Sequence, residues 1–329
     1  MPLIQTKANA SAQGFGLFAR AAGGGDGTVG IFALGCAYVC CANQPSTLVN
    51  KYTYSTDSST QITSFGGSCT SISGSAAGNS TRIMFAIGRG QPNRVKYTYA
   101  TCSMTTNVSF FSSNNSRWGS AAGNETRGIF ALGSFCGTNS TSRDKYTYAT
   151  DSNTSSSGVA SAASSRGSAA GNSTRGIFAL GCTGAASTTR NKYTYACDTS
   201  TASGVASASI NSRNGAATGN STRGIFALGG CSAGFGTQTR NKYTYACCTS
   251  TSSGVANSNV CSRCGSAAGN STRGIFALGN TASSGTSRST TRNKYTYACD
   301  TNTVTGVGGA NYLSMAGEAA SFAIGVNSS

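Results

Sequence analysis

The chain has 329 residues, of which 44 are Gly, 38% are hydrophobic and 10% are charged, and its formal net charge is +16. It contains eight acidic residues and no His, which excludes His-based general bases, Ser–His–Asp triads and His-containing metal sites. We therefore expect a protein that is not an enzyme and carries no cofactor. Abundant Gly, Ser, Thr and Asn disfavour helices, whereas 14 Phe and 14 Tyr at regular positions favour ordered β-structure.

Residues 1–22 contain two strand-like segments, 3–8 and 15–19, which we expect to act as an N-terminal closing segment. They lack the basic start and long apolar run of a signal peptide. No stretch of the chain approaches the roughly 20 apolar residues that span a membrane. The 14 Cys and the surface composition are typical of extracellular proteins. A protein that leaves a cell without an export signal is often a virion component released by lysis, and this is our expectation here.

A repeat of about 48 residues occupies the rest of the chain, with copies that begin near residues 30, 83, 128, 176, 224, 274 and 320. Each copy has an apolar segment of the type Gly176–Gly181 around a central Phe, and six copies continue with a segment of the type Lys192–Tyr195. We expect the repeated aromatic residues to form the core: Phe32, Phe85, Phe130, Phe178, Phe226, Phe276, Phe322, Tyr54, Tyr99, Tyr148, Tyr195, Tyr245 and Tyr297.

Each repeat contains four short segments separated by turn-forming residues, which is typical of β-strands. The segment Ile177 to Leu180 is apolar on both faces, whereas Lys192 to Tyr195 alternates and suits a half-buried strand. Four antiparallel strands, repeated six or seven times, is the arrangement of propeller blades, which bury their faces by stacking around an axis. We predict a single all-β domain over residues 1–329, a seven-bladed β-propeller closed by N- and C-terminal strands, with six blades as the alternative. A β-solenoid is the competing architecture.

The order of these segments resembles that of the kelch family of propellers. Arg166–Ala170 resembles the first strand of a kelch blade, Gly176–Gly181 the second, Tyr193–Asp198 the third and Gly204–Ser209 the fourth. The resemblance covers nearly the whole chain and implies kelch-like blades of four antiparallel strands.

Two features depart from the kelch pattern. A complete double Gly occurs only at Gly229-Gly230, and the usual fourth-strand Trp is missing, since the only Trp is Trp118. The Arg-Gly-Ile-Phe-type repeats with small polar linkers are also similar to propeller-like structural proteins of tailed bacteriophages. That second resemblance implies a structural protein of the virion.

Two classes of polar residue recur at turn positions. Four acids follow the Tyr segment, and blade symmetry spreads them around a ring, so we interpret them as turn residues rather than paired catalytic carboxylates. They are Asp57, Asp151, Asp198 and Asp300. Five sites match the glycosylation acceptor pattern, but we interpret them as turns between the first and second strands. They begin at Asn79, Asn124, Asn172, Asn220 and Asn270.

Two sets of basic residues repeat with the fold. One set precedes the Phe strand, and we expect it to pair with turn aspartates of the same repeat: Arg127 with Asp151, Arg175 with Asp198 and Arg273 with Asp300. The other set enters the first and third strands and predicts one strongly basic face that attracts polyanions. Its binding candidates are Arg143, Lys145, Arg166, Arg190, Lys192, Arg213, Arg240, Lys242, Arg263, Arg292 and Lys294. The alternative is that these charges only maintain solubility and fix loops.

Six cysteines are candidates for disulfides that brace a particle exposed to the outside. They are Cys197, Cys247, Cys248, Cys261, Cys264 and Cys299. Two alternatives remain open, namely buried free thiols in small core positions and a zinc site, because Cys261 and Cys264 have zinc-knuckle spacing.

Together these features predict a structural and display protein of a tailed-phage virion, on the tail, baseplate, fibre or capsid exterior. We expect it to assemble in the host cytoplasm with other virion proteins in a symmetric arrangement. The loop between the Phe and Tyr strands varies between repeats, so we expect it to contact acidic host-surface glycans. Specific nucleic-acid binding is not expected, because no reader motif is present. The alternative is an extracellular carbohydrate-binding propeller, secreted by or attached to a bacterium.

Overall fold

The computed structural model shows an all-β protein. It describes residues 27–33, 36–39, 42–45, 47–62, 74–86, 94–106, 117–135, 138–230, 236–281, 288–311, 314–315 and 318–321. In this part of the chain six four-stranded antiparallel sheets form the blades of a β-propeller. No helix long and apolar enough to cross a membrane occurs among the described residues. We number the blades 1 to 6 in the order of their second strands along the chain.

The strands of each blade run from the axis outwards as inner, second, third and outer strand. From blade 1 to blade 6, the inner strands are Glu318–Ser321, Ser75–Gly78, Ser120–Gly123, Ser168–Gly171, Ala216–Gly219 and Ser266–Gly269. The second strands are Val29–Ala33, Arg82–Ala86, Arg127–Ala131, Arg175–Ala179, Arg223–Ala227 and Arg273–Ala277. The third strands are Val49–Thr53, Arg94–Thr98, Arg143–Thr147, Arg190–Thr194, Arg240–Thr244 and Arg292–Thr296.

The outer strands are short. They are Ser58–Ile62, Ser103–Thr106, Ser152–Ser155, Thr199–Thr201, Thr249–Thr251 and Thr301–Thr303. Outside the blades, Ser314–Met315, Cys36–Val39 and Ala42–Pro45 form a three-stranded sheet, and Ser134–Phe135 pairs with Thr138–Asn139. The expected fourth strand at Gly204–Ser209 is wrong. Asp198 adopts a left-handed φ of 52°, which closes a tight turn, so that the outer strand already begins at Thr199.

The amino-acid composition of each strand follows its distance from the axis. The inner strands of blades 2 to 6 are made of Ser, Ala, Thr and Gly because neighbouring inner strands contact one another around a closed ring. The second strands have Ile and Phe on opposite sides, and both are buried between blades, as in Ile177 and Phe178. Of the expected core aromatic residues, every one from Phe32 to Tyr297 is buried, whereas Phe322 lies outside the described residues.

The C-terminus closes the ring. Glu318–Ser321 forms the inner strand of blade 1 and pairs antiparallel with the second strand, with Ala33 opposite Glu318 and Gly30 opposite Ser321. The expected count of seven blades is therefore wrong and the six-blade alternative is confirmed, because the seventh copy supplies a closing strand rather than a blade. Blade 6 has four described strands, all within residues 266–303, and the expected N-terminal closing segment falls on residues that are not described. Residues 1–22 lie outside the described residues.

The two ends of the propeller axis differ in their connections. At one end, which we call the turn face, lie the turns from inner to second strand and from third to outer strand. At the other end, the loop face, lie the loops from second to third strand and the connections to the next blade.

Asparagine side chains tie each inner turn to the next blade on the turn face. Oδ1 of Asn172 accepts hydrogen bonds from the backbone N–H groups of Thr174 and Arg175 at 3.0 Å. Its Nδ2 donates to the carbonyl of Ser221 in blade 5 at 3.0 Å. The equivalent interblade bonds are made by Asn79, Asn124, Asn220 and Asn270. The interpretation of these residues as turn residues is confirmed.

Candidate functional site

The arginines that begin the third strands are buried between blades. Four of them were expected on a basic surface, but they are at most 1% exposed: Arg143, Arg190, Arg240 and Arg292. Each guanidinium stacks on the Phe of the next blade, with 4.4–4.6 Å between the guanidinium carbon and the ring centroid. Arg94 makes the same contact with Phe130. The expectation that these side chains present charge to solvent is therefore wrong.

Polar atoms of the next blade accept hydrogen bonds from each buried guanidinium. Arg240 donates to Oδ1 of Asn302 at 2.7 Å and to Oδ1 of Asn293 at 3.1 Å. Arg143 donates to the Ser200 hydroxyl, to Asn191 and to a backbone carbonyl. Burial lowers the pKa of Arg240 to about 10, so the group remains charged at neutral pH. These arginines hold the ring together and cannot take part in a surface site.

The turn aspartates form ion pairs with the preceding blade. Asp198 of blade 4 accepts from Arg127 at 3.0 Å and from Lys145 at 2.5 Å, both of blade 3, and from the Tyr193 hydroxyl at 3.0 Å. Equivalent groups are Asp151 with Arg82 and Lys96, Asp300 with Arg223 and Lys242, and Asp57 with Arg273 and Lys294. The expected pairing within one repeat is wrong, because side chains stand perpendicular to their own sheet and so reach the blade stacked against it.

These contacts favour the ionised aspartates. Burial acts against ionisation, but hydrogen bonds from Lys and Tyr and the charges of Lys and Arg outweigh it. They lower the pKa of Asp57, Asp151, Asp198 and Asp300 below the usual 3.8. Lys145, Lys242 and Lys294, expected on the basic face, are thus paired at the turn face. Lys192 lies at the same strand position, but among the described residues it makes no ion pair.

The remaining candidates lie where the inner strands begin, at the loop face. Arg213 and Arg263 precede the inner strands of blades 5 and 6, and Arg117 occupies the same position in blade 3. Arg166 takes the following position in blade 4. We call Arg117, Trp118, Arg166, Arg213 and Arg263 the basic mouth, because they lie at the loop-face ends of the inner strands of blades 3 to 6.

Backbone hydrogen bonds link these strand starts into an arc. The N–H of Arg166 donates to the carbonyl of Trp118, that of Asn214 to Arg166, and that of Cys264 to Asn214, each at 2.8 Å. These four residues share a left-handed φ between 55° and 58°. In blades 3 to 6, the glycine two residues after the second strand packs against this arc. A Cβ on Gly229 would lie 2.5 Å from the carbonyl oxygens of Arg213 and Asn214, so only Gly fits there.

Trp118 orders two of the guanidinium groups. The guanidinium carbons of Arg117 and Arg166 lie 3.9 Å and 4.2 Å from the centroid of its ring. Two cations this close must lie on opposite faces, so the indole separates them and holds both by cation–π contacts. The structure shows no protein acceptor for the side-chain N–H groups of Arg117, Arg166 and Arg213 within its described residues.

The charges of three blades converge near one thiol. Burial raises the pKa of Cys264, while the positive charges of Arg263, Arg166 and Arg213 act against this rise. Six of the seven acidic residues that the structure describes lie away from the mouth, and the seventh, Glu318, shares the loop face with it. Four are in the turn groups above, Asp144 pairs with buried Arg94 at 3.4 Å, and Glu125 accepts from Ser80 on the turn face. Glu318 begins the inner strand of blade 1 at the loop-face end.

The part of the central channel that the described side chains line is narrow. Ala and Gly of the inner strands of blades 2 to 6, with Thr218, line a cavity of about 50 Å³. This volume holds a few water molecules, whereas small-molecule sites typically enclose about 300–1,000 Å³. A ligand of the mouth must therefore bind at its open surface.

The cysteine candidates are all free thiols. Cys197, Cys247 and Cys299 are exposed at equivalent turns. Each lies in a different blade, namely blades 4, 5 and 6. Cys248, Cys261 and Cys264 are also free, so the expected disulfides are wrong for these six residues. Within the described part of the chain, no group of three or more His, Cys, Asp or Glu residues could hold a metal ion.

Comparison with known proteins adds no relative. No protein-family model matches the sequence, and no curated protein matches it significantly. The sequence prediction did not assign Trp118 to a binding site. The only Trp of the chain lies beside an Arg at the start of an inner strand, and this combination was the available signal.

Proposed function

We propose that the protein is a non-enzymatic display scaffold whose loop face binds an anionic polysaccharide through the basic mouth. One observation carries the proposal, namely that Arg117, Arg166 and Arg213 have no protein acceptor for their side-chain donors in the described structure. Guanidinium groups bind carboxylates and sulfates through two parallel N–H donors. The cation–π contacts on Trp118 hold two of these groups in place before a ligand arrives, which reduces the entropy lost on binding.

The shape of the mouth favours a polymer over a small molecule. The cavity below it, between the inner strands of blades 2 to 6, measures only about 50 Å³ and cannot enclose a compact ligand. An extended chain with repeated negative charges can instead contact the arginines of several blades along the open surface. The turn face is also positively charged, but most of its basic residues already donate to aspartates. This contrast supports the loop face as the binding side.

The non-enzymatic part of the proposal is supported by the use of the acidic side chains. Asp57, Asp151, Asp198 and Asp300 each serve a junction between two blades, in four different junctions. Asp144 and Glu125 also make contacts between blades. A glycosidase needs two carboxyl groups that face one another across the substrate.

We further propose a kelch-like origin of the blades and a place on a tailed-phage virion, where the protein would contact other virion proteins in a symmetric assembly. The alternative location is the surface or surroundings of a bacterium. Both locations require a rigid scaffold that presents a constant set of blades with variable loops. Fractionation decides between them, since a virion protein would co-purify with particles at fixed stoichiometry, and a free lectin would remain soluble after particles are removed.

Binding measurements test the central part of the proposal. The full chain is titrated with a sulfated polysaccharide, a uronic acid polysaccharide and a neutral glucan at 50 and 500 mM NaCl. We expect binding to the two anionic polymers that weakens at the higher salt concentration, because exposed charges are screened within about 5 Å there. Equal binding to the neutral glucan, or affinity that salt does not change, would rule out the basic mouth as the binding site.

A further inference from the structure

A cysteine replaces the turn aspartate in two blades. The residue at this position has a left-handed φ between 49° and 55° in all six blades, so the side chains leave the backbone in the same direction. Blades 1, 3, 4 and 6 have Asp57, Asp151, Asp198 and Asp300, whereas blades 2 and 5 have Cys102 and Cys248. Cys248 is free and partly exposed.

The donors that bind a carboxylate in other blades are still present around Cys248. Nη1 of Arg175 lies 3.0 Å from the carbonyl oxygen of Tyr245 and 3.8 Å from Sγ of Cys248. Arg127 contacts the carbonyl of Tyr195 and the carboxylate of Asp198 in the same way, at 2.9 Å and 3.0 Å. Only the acceptor differs between the two junctions.

The lysine of this junction has also kept its position. Lys192 lies opposite Ile177 in the sheet register, as Lys145 lies opposite Ile129. Lys145 binds Asp198, whereas Lys192 makes no ion pair among the described residues. Two cations therefore flank a position that lacks its negative charge.

A buried hydroxyl points to the same missing acceptor. Tyr243 is 0% exposed, and its hydroxyl has no hydrogen-bond partner in the described structure. The equivalent hydroxyls of Tyr52, Tyr146, Tyr193 and Tyr295 each donate to the turn aspartate of their own blade. Burial first, and next the neighbouring thiol of Cys248, raise the pKa of Tyr243, so the group stays protonated and remains a donor that faces a sulfur, a weak acceptor, instead of a carboxylate. A buried donor without a strong acceptor is costly, and an anion at the Cys248 position would satisfy it.

We propose that Cys248 is a site of oxidation by hydrogen peroxide, and that the resulting sulfinate binds Arg175, Lys192 and Tyr243 as an aspartate does. The thiol sulfur first attacks one peroxide oxygen, which gives a sulfenic acid and water. A second peroxide molecule converts the sulfenic acid into a sulfinic acid and a second water. The sulfinic acid loses its proton at neutral pH. Its sulfur is attached to Cβ and carries two oxygens, as the carboxyl carbon of Asp does, so both oxygens reach the three donors.

Two other thiols of the chain are internal controls. Cys247 is adjacent to Cys248 but fully exposed at the turn, at the same position as Cys197 and Cys299. Cys102 occupies the turn-aspartate position in blade 2. The preceding blade has Val29 at the position of Arg175, so the arginine that would bind an oxidised Cys102 is missing. We therefore expect oxidation at Cys248 to stabilise the fold, and oxidation at Cys247 or Cys102 not to do so.

The experiment uses the full chain with Cys247→Ser, which prevents a disulfide between the adjacent thiols. The protein is treated with hydrogen peroxide, the oxygens gained at each cysteine are located by peptide mass spectrometry, and Tm is measured before and after. We expect two added oxygens at Cys248 and a rise in Tm of about 2 °C relative to the matched variant that also carries Cys248→Ala. The further substitution Arg175→Gln should abolish the rise.

Substitution by a natural acid tests the same site without oxidation. Cys248→Asp should have a higher Tm than Cys248→Asn, since both tolerate the left-handed φ and only Asp is charged. The proposal is overturned if Cys248 is oxidised more slowly than Cys197 and Cys299, if the sulfinate forms without a rise in Tm, or if the Asn variant is as stable as the Asp variant.

Discussion

The guanidinium carbon of Arg143 in blade 3 lies 4.5 Å from the ring centroid of Phe178 in blade 4. The same pair of residues recurs at five of the six junctions between blades, with Arg94, Arg190, Arg240 and Arg292 as the other arginines. Among the described residues, a carboxylate contacts this arginine only at the junction that follows blade 2, where Asp144 pairs with Arg94. The others rely on the aromatic ring, amide oxygens and backbone carbonyls. The buried arginines thus stabilise the contacts between blades.

Replacement of a buried arginine by lysine should destabilise the ring. Arg240→Lys keeps the charge but loses the planar stack on Phe276 and one of the two amide contacts, to Asn302 or Asn293. We expect the free energy of unfolding to fall by about 2 kcal/mol, measured by denaturant unfolding. Arg213→Lys at the mouth is the matched control and should change it by less than about 0.5 kcal/mol. Equal effects of the two substitutions would contradict the stacking role.

The junction between blades 1 and 2 has exchanged its polar network for apolar contacts. Val49 occupies the arginine position, Val95 the asparagine position and Met104 the position of Ser200. Val49 and Val95 are 0% exposed and belong to one cluster with Phe85, against which Met104 packs. Replacing all partners together avoids leaving a buried polar group without a partner.

The three positions of this junction should therefore be coupled. Val49→Arg alone buries a cation without an acceptor and should lower the free energy of unfolding by about 3 kcal/mol. The combination Val49→Arg, Val95→Asn and Met104→Ser rebuilds the network of the other junctions and should recover more than half of that loss. Denaturant unfolding of the single, double and triple variants measures the coupling. Additive losses would show that the polar and apolar junctions are not interchangeable.

Asn172 should contribute to stability through both polar atoms of its side-chain amide, Oδ1 and Nδ2. Asn172→Ala removes the acceptor for Thr174 and Arg175 and the donor to Ser221, so we expect a loss of about 2 kcal/mol in unfolding free energy. Asn172→Asp keeps the acceptor for Thr174 and Arg175 but places a carboxylate oxygen against the carbonyl oxygen of Ser221, so it should also be destabilising. Asn257→Ala changes an exposed residue and is the control. If Asn172→Ala is as mild as the control, the amide does not link the blades.

The turn aspartates make the free energy of unfolding depend on pH. Their pKa values are lower in the folded protein than the usual 3.8, so the unfolded chain binds protons more tightly. The stabilisation is complete above about pH 5 and is lost as the pH falls through the folded pKa. We expect Asp198→Asn to be less stable than the unmodified chain by about 1 kcal/mol at pH 7, and this difference to shrink as the pH falls below 3.8. Thermal unfolding between pH 7 and pH 2 measures this, and a constant difference would contradict it.

The repeated residues were enough to predict the strands and the stacked blades. They were not enough to predict which side chains contact each other between blades. The alternation in Lys192–Tyr195 and the apolar Gly176–Gly181 segment predicted the third and second strands, and the repeat predicted stacked blades. The blade count was wrong because Glu318–Ser321 looks like the start of a seventh repeat but completes the first blade. Arg143 was assigned to the surface because sequence alone does not show that the next blade supplies Phe178 and Asn191 as partners. Arg166, by contrast, was correctly placed at the loop-face end of an inner strand.

The affinity of the basic mouth for a sulfated polysaccharide is the measurement that tests the account most directly. Arg166→Ala should weaken binding about tenfold, because a hydrogen bond to a charged group contributes about 1.5 kcal/mol. Lys51→Ala removes the same charge from the third strand of blade 1, away from the mouth, and should leave the affinity within about twofold. Equal loss in both variants would show that net charge alone attracts the polymer, and no loss in Arg166→Ala would contradict a binding site at the mouth.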